Sequence, residues 1–74
     1  MIKLMIADDH VMLRDGLRDK FCDEAGIEVA GEAGTGEELL KKLQPLQPNV
    51  IILDLKLPDT NGVTLIRQIK DAIP

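Results

Sequence analysis

The chain has no tryptophan and no tyrosine, and only one phenylalanine and one cysteine among its 74 residues. With so few aromatics there is no platform on which nucleic-acid bases can stack, and a core must be built from Leu, Ile, Val, Met and Ala. Cys22 stands alone, so neither an intrachain disulfide nor a thiolate cluster for zinc is available, and a reducing, cytoplasmic setting is the expectation. No apolar run approaches the roughly 18 residues of a membrane span, and Met1 is not followed by a basic-then-apolar leader. Neither export nor membrane embedding is therefore expected. Positive charge is scarce too: 9 Lys and Arg stand against 13 Asp and Glu, a net −4. That argues against direct binding to DNA, RNA or anionic membrane, which rests on basic patches. An acidic balance is better suited to a cation.

What is present makes one small domain, 45% hydrophobic and 30% charged, whose core supplies about 3–5 kcal/mol of net stability at most. The chain is organised around Val50-Ile51-Ile52-Leu53, an apolar, β-branched run between Pro48-Asn49 and Pro58 that reads as a strand buried on both faces. Asp54 follows it at once. Ile2 to Ala7 is a second apolar segment, and it stops at Asp8-Asp9 in the same way. Val11, Leu13, Leu17 and Phe21, with Met12 beside them, recur at helical spacing and predict an amphipathic helix over about 10–24. Gly16 within it suggests close packing on the sheet, and Gly26 closes it. Ile27 to Ala33 alternates less cleanly but is short and bounded by glycines, which favours a strand near the sheet's edge.

Gly31, Gly34 and Gly36 invite a phosphate-loop reading, but their spacing is the reverse of the dinucleotide fingerprint and no Lys-Ser/Thr pair follows. Thr35 with Glu38 is instead a capping-box pattern. It opens a helix over about 36–44 with Leu39, Leu40 and Leu43 on its apolar face, ended by Pro45 and Pro48. Asn61-Gly62 opens a last helix whose apolar face is Val63, Leu65, Ile66, Ile69 and Ile73. The order β-α-β-α-β-α demands a parallel sheet with right-handed crossovers. A strand as apolar as Val50-Leu53 expects neighbours on both edges and helices on both faces, more elements than this chain offers, so further chain after Pro74 is expected.

If the first and third strands are adjacent, Asp8, Asp9 and Asp54 converge at the carboxyl end of the sheet, where open α/β sheets bind ligands. Three like charges there repel unless a cation neutralises them, and all-oxygen ligation suits Mg²⁺ or Mn²⁺ better than zinc. One carboxylate is then free to act as a nucleophile toward a phosphoryl group. His10, beside two acids, is open to reading as a ligand, a phosphohistidine or simply the polar residue that starts a helix. Lys56 reads either as a phosphate-binding lysine or as a solvated charge.

The Asp8-Asp9 pair, Asp54 at a strand end, Pro58 four residues later and Gly62 eight later together resemble the receiver domain of two-component response regulators. Asp8-Asp9-His10, Leu13-Arg14-Asp15-Gly16-Leu17, Val29 to Ala33 and Gly36-Glu37-Glu38 further resemble its NarL/FixJ-type subfamily. The resemblance runs over all 74 residues. It implies a flavodoxin-like (CheY-like), doubly wound parallel α/β fold, here the half with strand order 2-1-3. It implies Asp54 as phosphoacceptor, Asp8 and Asp9 as Mg²⁺-binding acids, the backbone carbonyl of Lys56 as a further ligand, and a sensor histidine kinase as phosphodonor. The Ser/Thr and Lys that the family carries at the ends of its fourth and fifth strands are not among these residues, nor is the helix-turn-helix output domain that would bring DNA binding and transcription regulation. A haloacid-dehalogenase-like hydrolase also uses a strand-end Asp with Mg²⁺, but its general acid falls where Lys56 stands. The remaining alternative is a half-domain without signalling competence that self-associates, as a homodimer, through its exposed third strand.

Overall fold

The two apolar runs that stop at acids lie side by side. The structure, a computed structural model, describes residues 1–73; the continuation expected at Pro74 lies outside the described residues. Strand β1 (Ile2–Ala7) pairs in parallel with β2 (Ile27–Ala33) on one side and β3 (Val50–Leu53) on the other, giving the order β2-β1-β3. Helices α1 (Val11–Cys22), α2 (Gly36–Leu46) and α3 (Gly62–Ala72) complete a flavodoxin-like α/β half-sheet. β1 takes the centre because it is the strand that buries four successive residues, Leu4 to Ala7.

Successive residues of a strand point to opposite faces. Met5 and Ala7 join Ala33, Leu39, Leu43, Leu57 and Leu65 in the buried cluster under α2 and α3. Leu4 and Ile6, also buried, therefore face the α1 side. β2 alternates poorly for a physical reason: Leu4 pairs with Val29 but Met5 with Gly31, so Ala30 is an extra residue and the strand carries a bulge. At Gly31 the backbone comes so close to α2 that a Cβ would stand 2.7 Å from Leu46 Cδ1.

Helix ends follow local chemistry. The Thr35 hydroxyl accepts from the Glu38 amide at 3.1 Å, as the capping-box pattern predicts, while Glu38 Oε1 reaches one residue further back and accepts from the Gly34 amide at 2.7 Å. Asn61 Oδ1 accepts from the Thr64 amide at 2.9 Å and caps α3. Pro45 does not end α2 as expected. It sits in the last turn, and the helix stops at Gln47, which adopts a left-handed conformation (φ 48°) with its amide on the Leu43 carbonyl.

Four expectations of burial are corrected. β3 is not buried on both faces, for Val50 is 47% exposed and Ile51 to Leu53 are half-buried, because among the described residues no strand pairs with its outer edge. No residue of α1 is fully buried, and Val11, Met12 and Leu13 are exposed. Gly16 faces open space, so close packing is not its role. On α3, Leu65 is buried, yet Val63 and Ile66 are exposed: Ile66 lines a groove beside the open β3 edge, and Val63 lines one formed with Leu55, Lys56 and Asn61.

Truncating the α2–α3 layer is the sensitive change. Leu43→Ala should lower stability by about 2–5 kcal/mol, whereas Met12→Ser on α1 should stay within about 0.5 kcal/mol. Urea unfolding midpoints of the two variants check this contrast.

Candidate metal centre at the carboxyl end of the sheet

Parallel pairing continues past the strands. Ala7 lies opposite Leu53, the Asp54 amide donates to the Ala7 carbonyl at 2.9 Å, and the Asp8 amide donates to the Ala33 carbonyl at 2.9 Å. The first residues off β1 and β3 are thereby held as neighbours. One ligand atom from each of Asp8, Asp9, His10 and Asp54 falls within 4.8 Å of the others. The convergence of the three carboxylates expected from the sequence is thus present. Their surroundings differ: the Asp8 side chain is 11% exposed, Asp54 18% and Asp9 37%.

His10 belongs to the cluster. Its backbone amide donates to Asp8 Oδ1 at 2.8 Å, and its ring Nδ1 lies 2.8 Å from the same oxygen, 3.2 Å from Asp9 Oδ1 and 3.8 Å from Asp54 Oδ2. It occupies the N-cap position of α1 but its side chain makes no capping bond. The Asp8 hydrogen bond first, then the charges of Asp9, Asp8 and Asp54, push the imidazole above its ordinary pKa against a weaker effect of burial. For Asp8, burial pushes up, but donation from the His10 amide and ring together with the charges of His10 and Arg14 outweighs it and holds the carboxyl low.

Arg14 braces the same loop from α1. Its Nη1 donates to the Asp8 carbonyl at 3.0 Å, and its Nε lies 3.2 Å from Glu32 Oε1, an ion-pair distance out of line for a hydrogen bond. Arg18 holds the other oxygen of Glu32 at 3.2 Å. Lys56 lies on the exposed loop after β3, where its amide donates to Asp54 Oδ1 at 3.0 Å and fixes that carboxylate's orientation. Sequence reasoning missed Arg14 as a support of the site. The signal was its place six residues after Asp8, on the helix that Asp8 leads into.

Chemically the centre offers three carboxylates, two of them largely shielded, with no thiolate among its donors. The three carboxylates, taken without the His10 nitrogen beside them, form an all-oxygen set that fits a hard divalent cation such as Mg²⁺ or Mn²⁺.

The response regulator receiver domain family matches residues 4–74. Response regulator GacA of Pseudomonas syringae pv. syringae is 38% identical over 74 residues, covering 100% of this chain and 35% of that protein. Among solved structures, the response regulator domain of Thermotoga maritima CheB superposes with a TM-score of 0.93 at 30% identity, over 100% of this chain and 55% of that one. The isolated REC domain of RcsB from Salmonella enterica serovar Typhimurium, in the presence of the phosphomimetic BeF3⁻, gives 0.90 at 33% identity, over 99% and 55%. The chain therefore spans about a third of the length of the curated relatives it matches and about half of these receiver structures.

In metal-free protein, ¹H–¹⁵N NMR titration should place the His10 pKa above 6.5, its ordinary value, and Asp8→Asn should bring it back down. A raised folded pKa means that the His10 interactions favour the fold below the unfolded value, and that this contribution is lost as pH rises through the folded one. With the ring 70% exposed, the effect on stability is expected to be small.

Proposed function

The chain belongs to the response regulator receiver domain family, and from that premise we propose that Asp54 is the acceptor in a phosphoryl transfer from a sensor histidine kinase. One observation carries the reading: Asp54 stands at a strand end beside Asp8 and Asp9, with ligand atoms within 4.8 Å. The Asp54 carboxylate oxygen attacks the phosphorus of a phosphohistidine, the P–O bond forms as the P–N bond breaks, and the donor imidazole leaves with the bonding pair and takes a proton. Asp8, Asp9, Asp54 and the Lys56 backbone carbonyl are the groups that would hold Mg²⁺ or Mn²⁺. When bound, that ion screens the phosphoryl oxygens from the carboxylates. The Lys56 amide keeps Asp54 turned toward the site, and Arg14 keeps the Asp8 backbone in place.

This makes the chain part of a signalling module rather than a conventional enzyme, at most promoting its own phosphorylation and the hydrolysis of its aspartyl phosphate. A cytoplasmic location is part of the proposal; among the described residues no helix is long and apolar enough to cross a membrane. Regulation of transcription belongs to a longer parent with a DNA-binding output domain, as the names of two relatives suggest.

Incubation with an acyl phosphate and Mg²⁺ should give a single phosphoryl adduct by mass, absent in Asp54→Asn. Mg²⁺ titration followed by NMR should shift residues around all three acids and fail in Asp9→Asn. An adduct that survives Asp54→Asn would refute the assignment.

A second reading rests on the open edge of β3. Among the described residues its outer backbone groups have no strand partner, and a groove lined by Ile51, Leu53, Leu55, Ile66, Ile69 and Ile73 runs beside them. The occupant proposed is a second copy of the chain, joined about a two-fold axis. Sedimentation equilibrium should give twice the chain mass at micromolar concentration, and Ile52→Lys should return the monomer mass or unfold the protein.

A further inference from the structure

Asp59 lies in the loop that carries Asp54 and Lys56, yet both of its carboxylate oxygens are engaged elsewhere. Oδ1 accepts from the Gly36 amide at 2.8 Å and Oδ2 from the Glu37 amide at 2.9 Å, the first two amides of α2. Those amides have no partner within their own helix, and a negative charge there complements the helix dipole. The Gly36 amide first and the Glu37 amide second hold the Asp59 carboxyl below the ordinary carboxylate range, against a smaller effect of burial. Thr35 already serves the Glu38 amide, so α2 starts under two caps, one local and one brought from more than twenty residues along the chain.

The contact needs Gly36. A Cβ at that position would stand 2.7 Å from Thr60 Cγ2 and 3.4 Å from both Asp59 Oδ1 and Leu65 Cδ1. Between Asp59 and the acidic centre the loop has little slack. Leu57 is buried, the Thr60 amide donates to the Leu57 carbonyl at 3.4 Å, the Gly62 amide to the Leu55 carbonyl at 3.0 Å, and the Lys56 amide to Asp54 Oδ1 at 3.0 Å.

We infer that Asp59 is a positioning residue for the acidic centre: by clamping the 54–61 loop to the start of α2 it fixes the Asp54 carboxylate and the Lys56 carbonyl for a divalent cation. The inference rests on the metal site proposed above. A cap that only stabilised α2 would leave the geometry at Asp54 unchanged when lost, provided the chain still folds.

Two measurements on the 74-residue chain separate the cases. In metal-free protein, Asp59→Ala should speed amide exchange at Lys56 and Gly62 by about tenfold or more while Ile6 in the central strand keeps its protection. In the second, Asp59→Ala should weaken Mg²⁺ binding by about 10–100-fold, the usual effect of losing a group that orients metal ligands. Asp59→Asn, which keeps the shape and one good acceptor, should fall between the two and remains informative if Asp59→Ala does not fold. Glu37→Gln removes the neighbouring side-chain charge but keeps the Glu37 backbone amide that donates to Asp59, and should change Mg²⁺ affinity by no more than about twofold, being an exposed charge screened by salt. Unchanged exchange at Lys56 in folded Asp59→Ala or Asp59→Asn overturns the inference. So does a Glu37→Gln effect as large as that of Asp59→Asn, since charge alone would then explain the loss. If the unmodified chain binds no Mg²⁺, the metal reading fails by itself and the exchange data still decide whether Asp59 holds the loop.

Discussion

In-register parallel pairing of β1 with β3 forces two acid-bearing strand ends together, and the rest of the molecule accommodates that. Two like charges about 4 Å apart repel by about 4 kcal/mol at an effective dielectric near 20, which rivals the whole net stability of a core this size. The carboxylates therefore persist only with compensation. The buried one, Asp8, has the most of it: the His10 amide and ring on its oxygen and the Arg14 guanidinium on its backbone. Asp9 is left partly in water.

Two layers support this edge unequally. Under α2 and α3 the buried cluster is continuous from Met5 through Leu39, Leu43 and Leu65 to Leu57 in the loop that carries Asp54. On the other face, α1 lies over Leu4 and Ile6 with no fully buried residue of its own and is tied largely by Arg14 and Arg18 to Glu32. The Asp54 side thus rests on apolar packing, and the Asp8–Asp9 side leans more on charge.

Much of this was legible in the residues. Apolar runs that stop at acids located both site-bearing strands to the residue, and Thr35 and Asn61 marked two helix starts correctly. The misreadings have separate physical causes. Periodicity in α1 and at Val63 and Ile66 identifies an apolar face without saying that anything covers it. A proline breaks a helix only where its missing amide and its ring matter, and Pro45 lies in a final turn that Gln47 closes. Gly16 looked like a packing glycine because composition cannot say what lies opposite. The places of His10, Arg14 and Asp59 depend on tertiary geometry, since each acts on a residue brought near by a turn or from another element.

The extra residue Ala30 in β2 gives that strand two phases. Before the bulge Val29 shares a face with Leu4; after it, Glu32 shares a face with Ile6 and Ala33 with Ala7. Strict alternation from Val29 would have sent Glu32 to the face of Met5 and Ala7, a carboxylate in the apolar cluster, and Ala33 toward α1. Pairing all of β2 without the bulge is therefore not a neutral regularisation of the strand. It is a frame error in three dimensions, which would strip Arg14 and Arg18 of their shared partner and slacken the hold on Asp8 without altering any residue that touches it.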